Sequence, residues 1–246
     1  MPSDQGRAFA VNGSLSKGKL RGVGFIFVLC FLISSGLFLP IDVEYVIYAI
    51  LLFAMMISGY LDDASKTPWN EYKKGLIDLV ISVVAVLTYM NFNSTTICFG
   101  ADEIVIPKAL FLILGVILIW VSVNVTNCTD GVDGLCASLC SVTLLAFGVL
   151  FASVLQKYAM ANFLFLSVLF AYLYFNSSPS SMLMGDAGSR ALGFYIAVIA
   201  LKSTHPFIYI LLAAVMIVDG GIGLVKIALK RLFEDFHSEK DENTAA

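Results

Sequence analysis

The chain has 246 residues, of which 59% are hydrophobic and 13% charged, and its net charge is −3. A soluble globular domain carries roughly 45–50% apolar and about 25% charged residues. The missing charge leaves too little polar surface to face water, so lipid must cover much of the exterior and a soluble protein is excluded.

The first residues, Met1–Lys19, are polar, contain Gly and Ser, and show no signal-peptide cleavage pattern, so they read as an exposed lead-in. Eight apolar runs then follow that suit membrane helices, each crossing taking about 20 residues. They are Gly22–Leu39, Val43–Tyr60, Leu76–Met90, Ala109–Val125, Leu135–Leu155, Ala159–Phe175, Ala191–Lys202 and Phe207–Ala228. The seventh is short for a bilayer. With Arg7, Lys17, Lys19 and Arg21 placed inside, alternation of the spans puts twelve of the 15 Lys and Arg inside. Only Lys108, Lys157 and Lys202 are left outside, a bias that places both termini in the cytoplasm. The expected fold class is therefore all-α: a polytopic membrane helical bundle of about eight transmembrane helices with a broken last helix. Residues 1–21 form a cytoplasmic lead-in, 22–233 the transmembrane domain that carries the catalytic motifs, and 234–246 a charged cytoplasmic tail. The outer connections, Asn91–Lys108 among them, read as plain linkers.

Chemistry-bearing residues fall in the cytoplasmic connections. The second span ends Gly59-Tyr60-Leu61-Asp62-Asp63, followed by Lys66, Lys73 and Lys74. Two adjacent carboxylates repel each other at a costly membrane depth. An acidic pair with a lysine one turn later suits phosphates, the carboxylate serving a metal or acting as base and the ammonium meeting anionic oxygens. Asp78, in the third span, reads as a structural partner for Lys74 at i+4 spacing. Beyond the fourth span, Asn124, Asn127 and Asp130 recur every three residues, which aligns them on one helical face. Asp130-Gly131 and Asp133-Gly134 then suggest a tight turn, without the spacing of an EF-hand calcium loop. Before the seventh span, Met184-Gly185-Asp186-Ala187-Gly188-Ser189-Arg190 combines a carboxylate with the free N–H groups of a helix start. Such a turn can hold a Mg²⁺–diphosphate unit, and Asn176 and Pro179 look like the stop and loop that position it. Inside the last span, Asp219 beside Gly220-Gly221 marks a helix break and a candidate site.

The five cysteines, Cys30, Cys98, Cys128, Cys136 and Cys140, lack metal-ligand spacing and read as small apolar fillers. What remains is a set of carboxylates and carboxamides on one membrane face, which favours a hard Mg²⁺ or Mn²⁺ ion and phosphoryl chemistry on an amphiphilic substrate.

The sequence resembles the polyprenyl-phosphate N-acetylhexosamine-1-phosphate transferases. The resemblance rests on Leu61-Asp62-Asp63 with Lys66, on Asn127-Cys-Thr-Asp130-Gly-Val-Asp133-Gly134, and on Met184-Gly185-Asp186-Ala187-Gly188-Ser189, in that order. It runs from about Ser16 to Phe233. It implies a Mg²⁺-dependent enzyme of the bacterial plasma membrane, active on the cytoplasmic face, and suggests a homodimer. In the muramoyl-pentapeptide branch, such an enzyme moves phospho-N-acetylmuramoyl-pentapeptide from its UDP carrier to undecaprenyl phosphate, giving lipid I for peptidoglycan and releasing UMP. By the same resemblance Asp62 would deprotonate the lipid phosphate with Asp63 beside it, Asp186 would bind Mg²⁺ helped by Asn124, and Lys66, Lys74, Asn127, Asp130 and Asp133 would line the nucleotide and diphosphate site. It leaves open an aspartate acting instead as covalent nucleophile. The family's Pro-Thr-Met-Gly-Gly reads Leu20-Arg21-Gly22-Val23-Gly24 here, its three-histidine loop has no counterpart, and Leu183 stands where relatives often have phenylalanine. A relative using UDP-N-acetylglucosamine is the alternative donor reading. A transporter built on Asp219 and a truncated, inactive paralogue are the readings from other classes.

Overall fold

The computed structural model describes residues 1–4, 16–65, 67, 69–100, 102–226 and 229. Helices lie in all eight predicted places. They are α1 (Gly24–Phe38), α2 (Val43–Ala64), α3 (Glu71–Phe92), α4 (Lys108–Thr129), α5 (Leu135–Leu150) with the short α6 (Ala152–Leu155), α7 (Lys157–Asn176), α8 (Gly185–Lys202), and α9 (Ile208–Leu212) followed by the helical run 214–226. Of these, α2, α3, α4 and α7 are long and apolar enough to cross a membrane on their own, whereas α1 and α5 are shorter apolar helices. The chain is an all-α, multi-pass membrane protein with one small addition of sheet. Strands β1 (Thr96–Phe99) and β2 (Asp102–Val105) form an antiparallel hairpin in the connection expected to be a plain linker. Cys98 N–H donates to the Thr204 carbonyl at 2.8 Å and ties the hairpin to the turn after α8.

Polar residues set the helix starts. Asp42 caps α2 by accepting from Tyr45 N–H at 2.8 Å, and Asn70 caps α3 by accepting from Tyr72 N–H at 3.2 Å. Glu44 and Glu71 add negative charge to the two first turns, where the helix dipole favours it.

The predicted short seventh span is the centre of the bundle. It begins at Gly185 rather than Ala191, because the Gly-Asp motif is itself the first helical turn, and it is buried from Gly185 to Leu201. Helices α1, α2 and α4 lie directly against it. A Cβ added at Gly24 would strike the backbone of Gly188, and one added at Gly59 would strike the Asp186 carbonyl. Glycine is therefore what lets the backbones of α1 and α2 reach the start of α8. Farther along, Phe31 of α1 stacks on Phe165 of α7 at 4.2 Å, and Tyr195 of α8 packs edge-on against both. The Tyr195 hydroxyl donates to Asn162 Oδ1 at 2.9 Å, so the ring's polar tip is satisfied inside the core. At its far end, α8 is pinned by Lys202, whose ammonium donates to both Glu44 oxygens at 3.0 Å and to Asn93 Oδ1 at 2.7 Å.

Three expectations change. The lead-in is not wholly exposed. Asp4 and Ser16 are buried, and the chain around Ser3 pairs antiparallel with Leu20, which in turn pairs parallel with Met182. The last helix breaks at Ala213, not at the glycine pair; it runs on through Gly220 and Gly221. Gly220 is instead a contact point, since a Cβ there would strike the Val125 carbonyl of α4. Asp78 has the predicted structural role with a different partner: its Oδ1 accepts from Arg190 Nη2 at 2.5 Å, joining α3 to α8. The tail 234–246 lies outside the described residues.

The Asp78–Arg190 pair is almost fully buried, and Arg190 Nε and Nη1 find no hydrogen-bond partner among the described residues. Breaking such a pair strands a buried charge, whereas removing both charges does not. Asp78→Leu is expected to cost about 3–5 kcal/mol, and Asp78→Leu combined with Arg190→Leu to recover most of it. Denaturation of the detergent-solubilised proteins measures both.

Candidate active site

At one end of the bundle the last turn of α2 meets the first turn of α8 and the start of α3. Asp62 and Asp63 are neighbours in sequence, but successive helical residues point about 100° apart, so the two carboxylates face different partners. Asp62 turns toward α3: its Oδ1 accepts from Trp69 N–H at 2.7 Å and its Oδ2 lies 2.5 Å from Lys74 Nζ. Asp63 turns toward α8 and the segment before α1, accepting from Ala187 N–H at 3.1 Å and from Arg21 Nε at 2.8 Å. Asp186 sits between them. Its Oδ2 accepts from Lys74 Nζ at 3.1 Å and its Oδ1 from Arg21 Nη2 at 3.3 Å. The result is an alternating row, Asp62–Lys74–Asp186–Arg21–Asp63, across four chain segments. Gly185 enters it with φ +66°, and a side chain there would collide with the Asp63 carboxylate.

Residues of α4 and of the loops border this row. Asn127 Nδ2 donates to Ser189 Oγ at 3.0 Å, and that hydroxyl donates to the Gly185 carbonyl at 3.0 Å. Asp133 lies at the rim, accepting from Ser180 N–H at 3.0 Å with Lys19 Nζ at 3.5 Å. Partial burial opposes ionisation of Asp133, but the Ser180 and Lys19 donors outweigh it and hold its carboxyl below the ordinary range. Asn176 joins the two loops as expected of a positioning residue. Its Oδ1 accepts from Gly134 N–H at 3.0 Å while its Nδ2 donates to the Met182 carbonyl at 2.9 Å.

Of the residues expected from sequence, Asp62, Asp63, Lys74 and Asp186 are brought together directly, Asn127 reaches them through Ser189, and Asp133 borders them. Asp130 is the C-cap of α4, its N–H donating to the Asn127 carbonyl at 3.2 Å. Asn124 is turned along its own helix and donates to the Trp120 carbonyl at 2.8 Å. Lys66 lies outside the described residues. Asp219 is exposed on the helical run 214–226, away from the charged row's hydrogen bonds.

Sequence reasoning missed Arg21 and Asp4. Arg21 Nη1 lies 3.2 Å from Asp4 Oδ1, and Asp4 Oδ2 accepts from Ser16 Oγ at 2.5 Å. Burial works against the Arg21 charge, but Asp63, Asp186 and Asp4 outweigh it and raise its pKa above the ordinary value. No spacing rule connects position 21 to positions 63 and 186; the backbone does. Leu183 N–H donates to the Leu20 carbonyl at 2.8 Å, and Val23 N–H to the Leu183 carbonyl at 3.1 Å.

All six oxygens of Asp62, Asp63 and Asp186 are thus engaged, and among the described residues no three His, Cys, Asp or Glu side chains form a ready metal cage. The donor set is nevertheless purely oxygen and already gathers two cationic groups, chemistry that fits a hard divalent ion once a carboxylate exchanges its internal cation. A family model, glycosyl transferase family 4, matches residues 45–204, a stretch that contains Asp62, Asp63, Lys74, Asn127, Asp133 and Asp186. The chain belongs to glycosyl transferase family 4.

The family and the names of its relatives make the chain a phospho-sugar transferase. Relatives agree over nearly the whole chain. The phospho-N-acetylmuramoyl-pentapeptide-transferase of Treponema pallidum (strain Nichols) is 36% identical over 95% of this chain and 70% of its own length. Those of Wolinella succinogenes and Fervidobacterium nodosum are 29% and 27% identical, over 92% and 86% of this chain and 73% and 69% of theirs.

Lys74 is the ammonium shared by Asp62 and Asp186. Lys74→Met is expected to destabilise the fold by about 1–3 kcal/mol, since hydrogen bonds to charged groups fall in that range, with Lys74→Arg retaining most of the stability. Thermal unfolding in detergent without added divalent ions measures both.

Proposed function

We propose that the chain transfers phospho-N-acetylmuramoyl-pentapeptide from its UDP carrier to undecaprenyl phosphate, forming lipid I and UMP in peptidoglycan synthesis. The observation that carries this reading is the alternating acid–base row at the end of a membrane bundle. It can hold two phosphate groups side by side, next to a lipid phase that takes the polyprenyl tail. The relatives' names support the choice of the transferred group.

In this reading Asp62 accepts the remaining proton of the lipid phosphate, with Asp63 fixing the start of α8 through Ala187 N–H. A phosphate monoester loses its second proton near pH 6, so that proton is only weakly held at neutral pH. Lys74 bridges Asp62 and Asp186 and presents positive charge where the diphosphate must lie. Lys66, Asn127, Asp130 and Asp133 complete the nucleotide side, Asn127 by orienting Ser189 beneath the first turn of α8. Asp186 would hold Mg²⁺, and Asn124 would join it in a rotamer that releases the Trp120 carbonyl. When bound, the ion spreads the diphosphate charge so that one phosphate anion can approach another. Burial of Asp62 and Asp186 keeps bulk water from competing at the transferred phosphorus.

Purified protein with undecaprenyl phosphate, Mg²⁺ and UDP-N-acetylmuramoyl-pentapeptide is expected to release UMP. Asp62→Asn and Asp186→Asn should each cut the rate by about 100-fold or more, the scale of lost acid–base or metal assistance. Release with UDP-N-acetylglucosamine alone would move the assignment to the alternative donor, and no release with either donor would sink the transferase reading. The proposal also puts the charged row on the cytoplasmic face of the bacterial plasma membrane. In a background without the native cysteines, Asp133→Cys is expected to react with an impermeant maleimide only from the cytoplasmic side. Glu103→Cys, on the exposed hairpin, should react only from the other side.

A further inference from the structure

Arg21 has more anionic partners than any other group in the row. It donates from Nε to Asp63, from Nη2 to Asp186 and from Nη1 to Asp4. Its backbone cannot follow its side chain, because Arg21 N–H is bonded to the Pro2 carbonyl at 2.9 Å and Leu20 is paired on both edges. The side chain nevertheless stays 30% exposed.

A divalent ion that uses Asp186 has to displace one of two cations. Lys74 is held at 2.5 Å by Asp62 as well as at 3.1 Å by Asp186. The Arg21–Asp186 contact, at 3.3 Å, is the longest link in the row, so it is the one that gives way. A guanidinium freed from two carboxylates needs an anion with matching geometry, and a phosphate offers it two oxygens at once. Asp4, itself held by Ser16, keeps Nη1 at the rim and limits how far the side chain swings.

We propose that Arg21 is a substrate-phosphate-binding residue that rests on Asp63 and Asp186 and exchanges them for a phosphate of the diphosphate when a divalent ion binds. The exchange makes ion and diphosphate bind cooperatively. Alone, the ion must break the Arg21 pairs without replacing them, and the diphosphate finds the guanidinium engaged. Together, each provides the partner the other displaces. This deepens the transferase reading and depends on it only for the source of the diphosphate.

The test uses the full chain in detergent, with Mn²⁺ as the metal probe, free ion read by electron paramagnetic resonance, and UDP as the diphosphate probe, read by equilibrium dialysis at saturating Mn²⁺. Arg21→Gln is expected to bind Mn²⁺ alone about fivefold or more tightly than the unaltered protein, and UDP about fivefold or more weakly, the lower end of usual coupling strengths. Opposite signs are the signature, because a merely structural arginine would weaken both. Unchanged or weaker Mn²⁺ binding overturns the exchange and leaves the transferase reading standing. No UDP binding in either protein overturns the phosphate half together with that reading. If Arg21→Gln does not fold, Arg21→Lys carries the same test. A compact ammonium cannot span Asp4, Asp63 and Asp186 at once, so smaller changes of the same two signs are expected, and their absence overturns the proposal.

Discussion

A carboxylate at the first turn of a helix that is buried along its whole length has to be neutralised by its immediate neighbours. Asp186 is that carboxylate, and the rest of this structure follows from how it is served. The helix dipole supplies some positive potential, but the ionic partners come from Lys74 on α3 and Arg21 before α1. To deliver them, α1 and α2 must reach the backbone of α8 closely enough that Gly24 and Gly59 admit no side chain. Small residues at these crossings therefore serve the charge arrangement as much as the packing.

The same helix is fixed by charge at its other end. Lys202 binds Glu44 of α2 and Asn93 just after α3, so α2, α3 and α8 are clamped at both faces of the bundle by polar groups that no lipid could satisfy. Between the clamps lies the Asp78–Arg190 pair, one helical turn beyond Asp186. A lipid-embedded bundle gains little from apolar contact, since lipid tails are as apolar as the side chains they replace. Directional polar contacts at three depths give α8 a register that apolar packing would leave free to slide.

What was legible in the sequence divides along physical lines. The apolar runs and the motif residues Asp62, Asp63, Lys74 and Asp186 could be read because membrane length and local spacing are properties of contiguous chain. The hairpin at residues 96–105 was not legible, since four-residue strands in a polar connection resemble any linker. The glycine pair at 220 and 221 looked like a hinge because glycine permits bending as well as close approach, and only the neighbouring Val125 decides between the two. In the sequence Arg190 is only a charge beside a motif, because its partner Asp78 lies on another helix. Arg21 has no local signal beyond its charge, because only the pairing of Leu20 with Met182 brings it beside Asp63 and Asp186.

The two adjacent aspartates illustrate how far local reading goes. Side by side in sequence, Asp62 and Asp63 suggest one doubly charged patch that repels itself. In the fold, helical geometry separates them onto two cations, Lys74 and Arg21, and the two then share Asp186 as a common neighbour. They are no longer equivalent. Asp62 is tied to Trp69 N–H and to a lysine that is locked between two carboxylates. Asp63 is tied to the N–H of Ala187 in the first turn of α8 and to an arginine whose other contacts are longer. A change at Asp186 therefore meets Asp63 through Arg21 and Asp62 through Lys74, so two neighbouring, chemically identical groups stand in different surroundings.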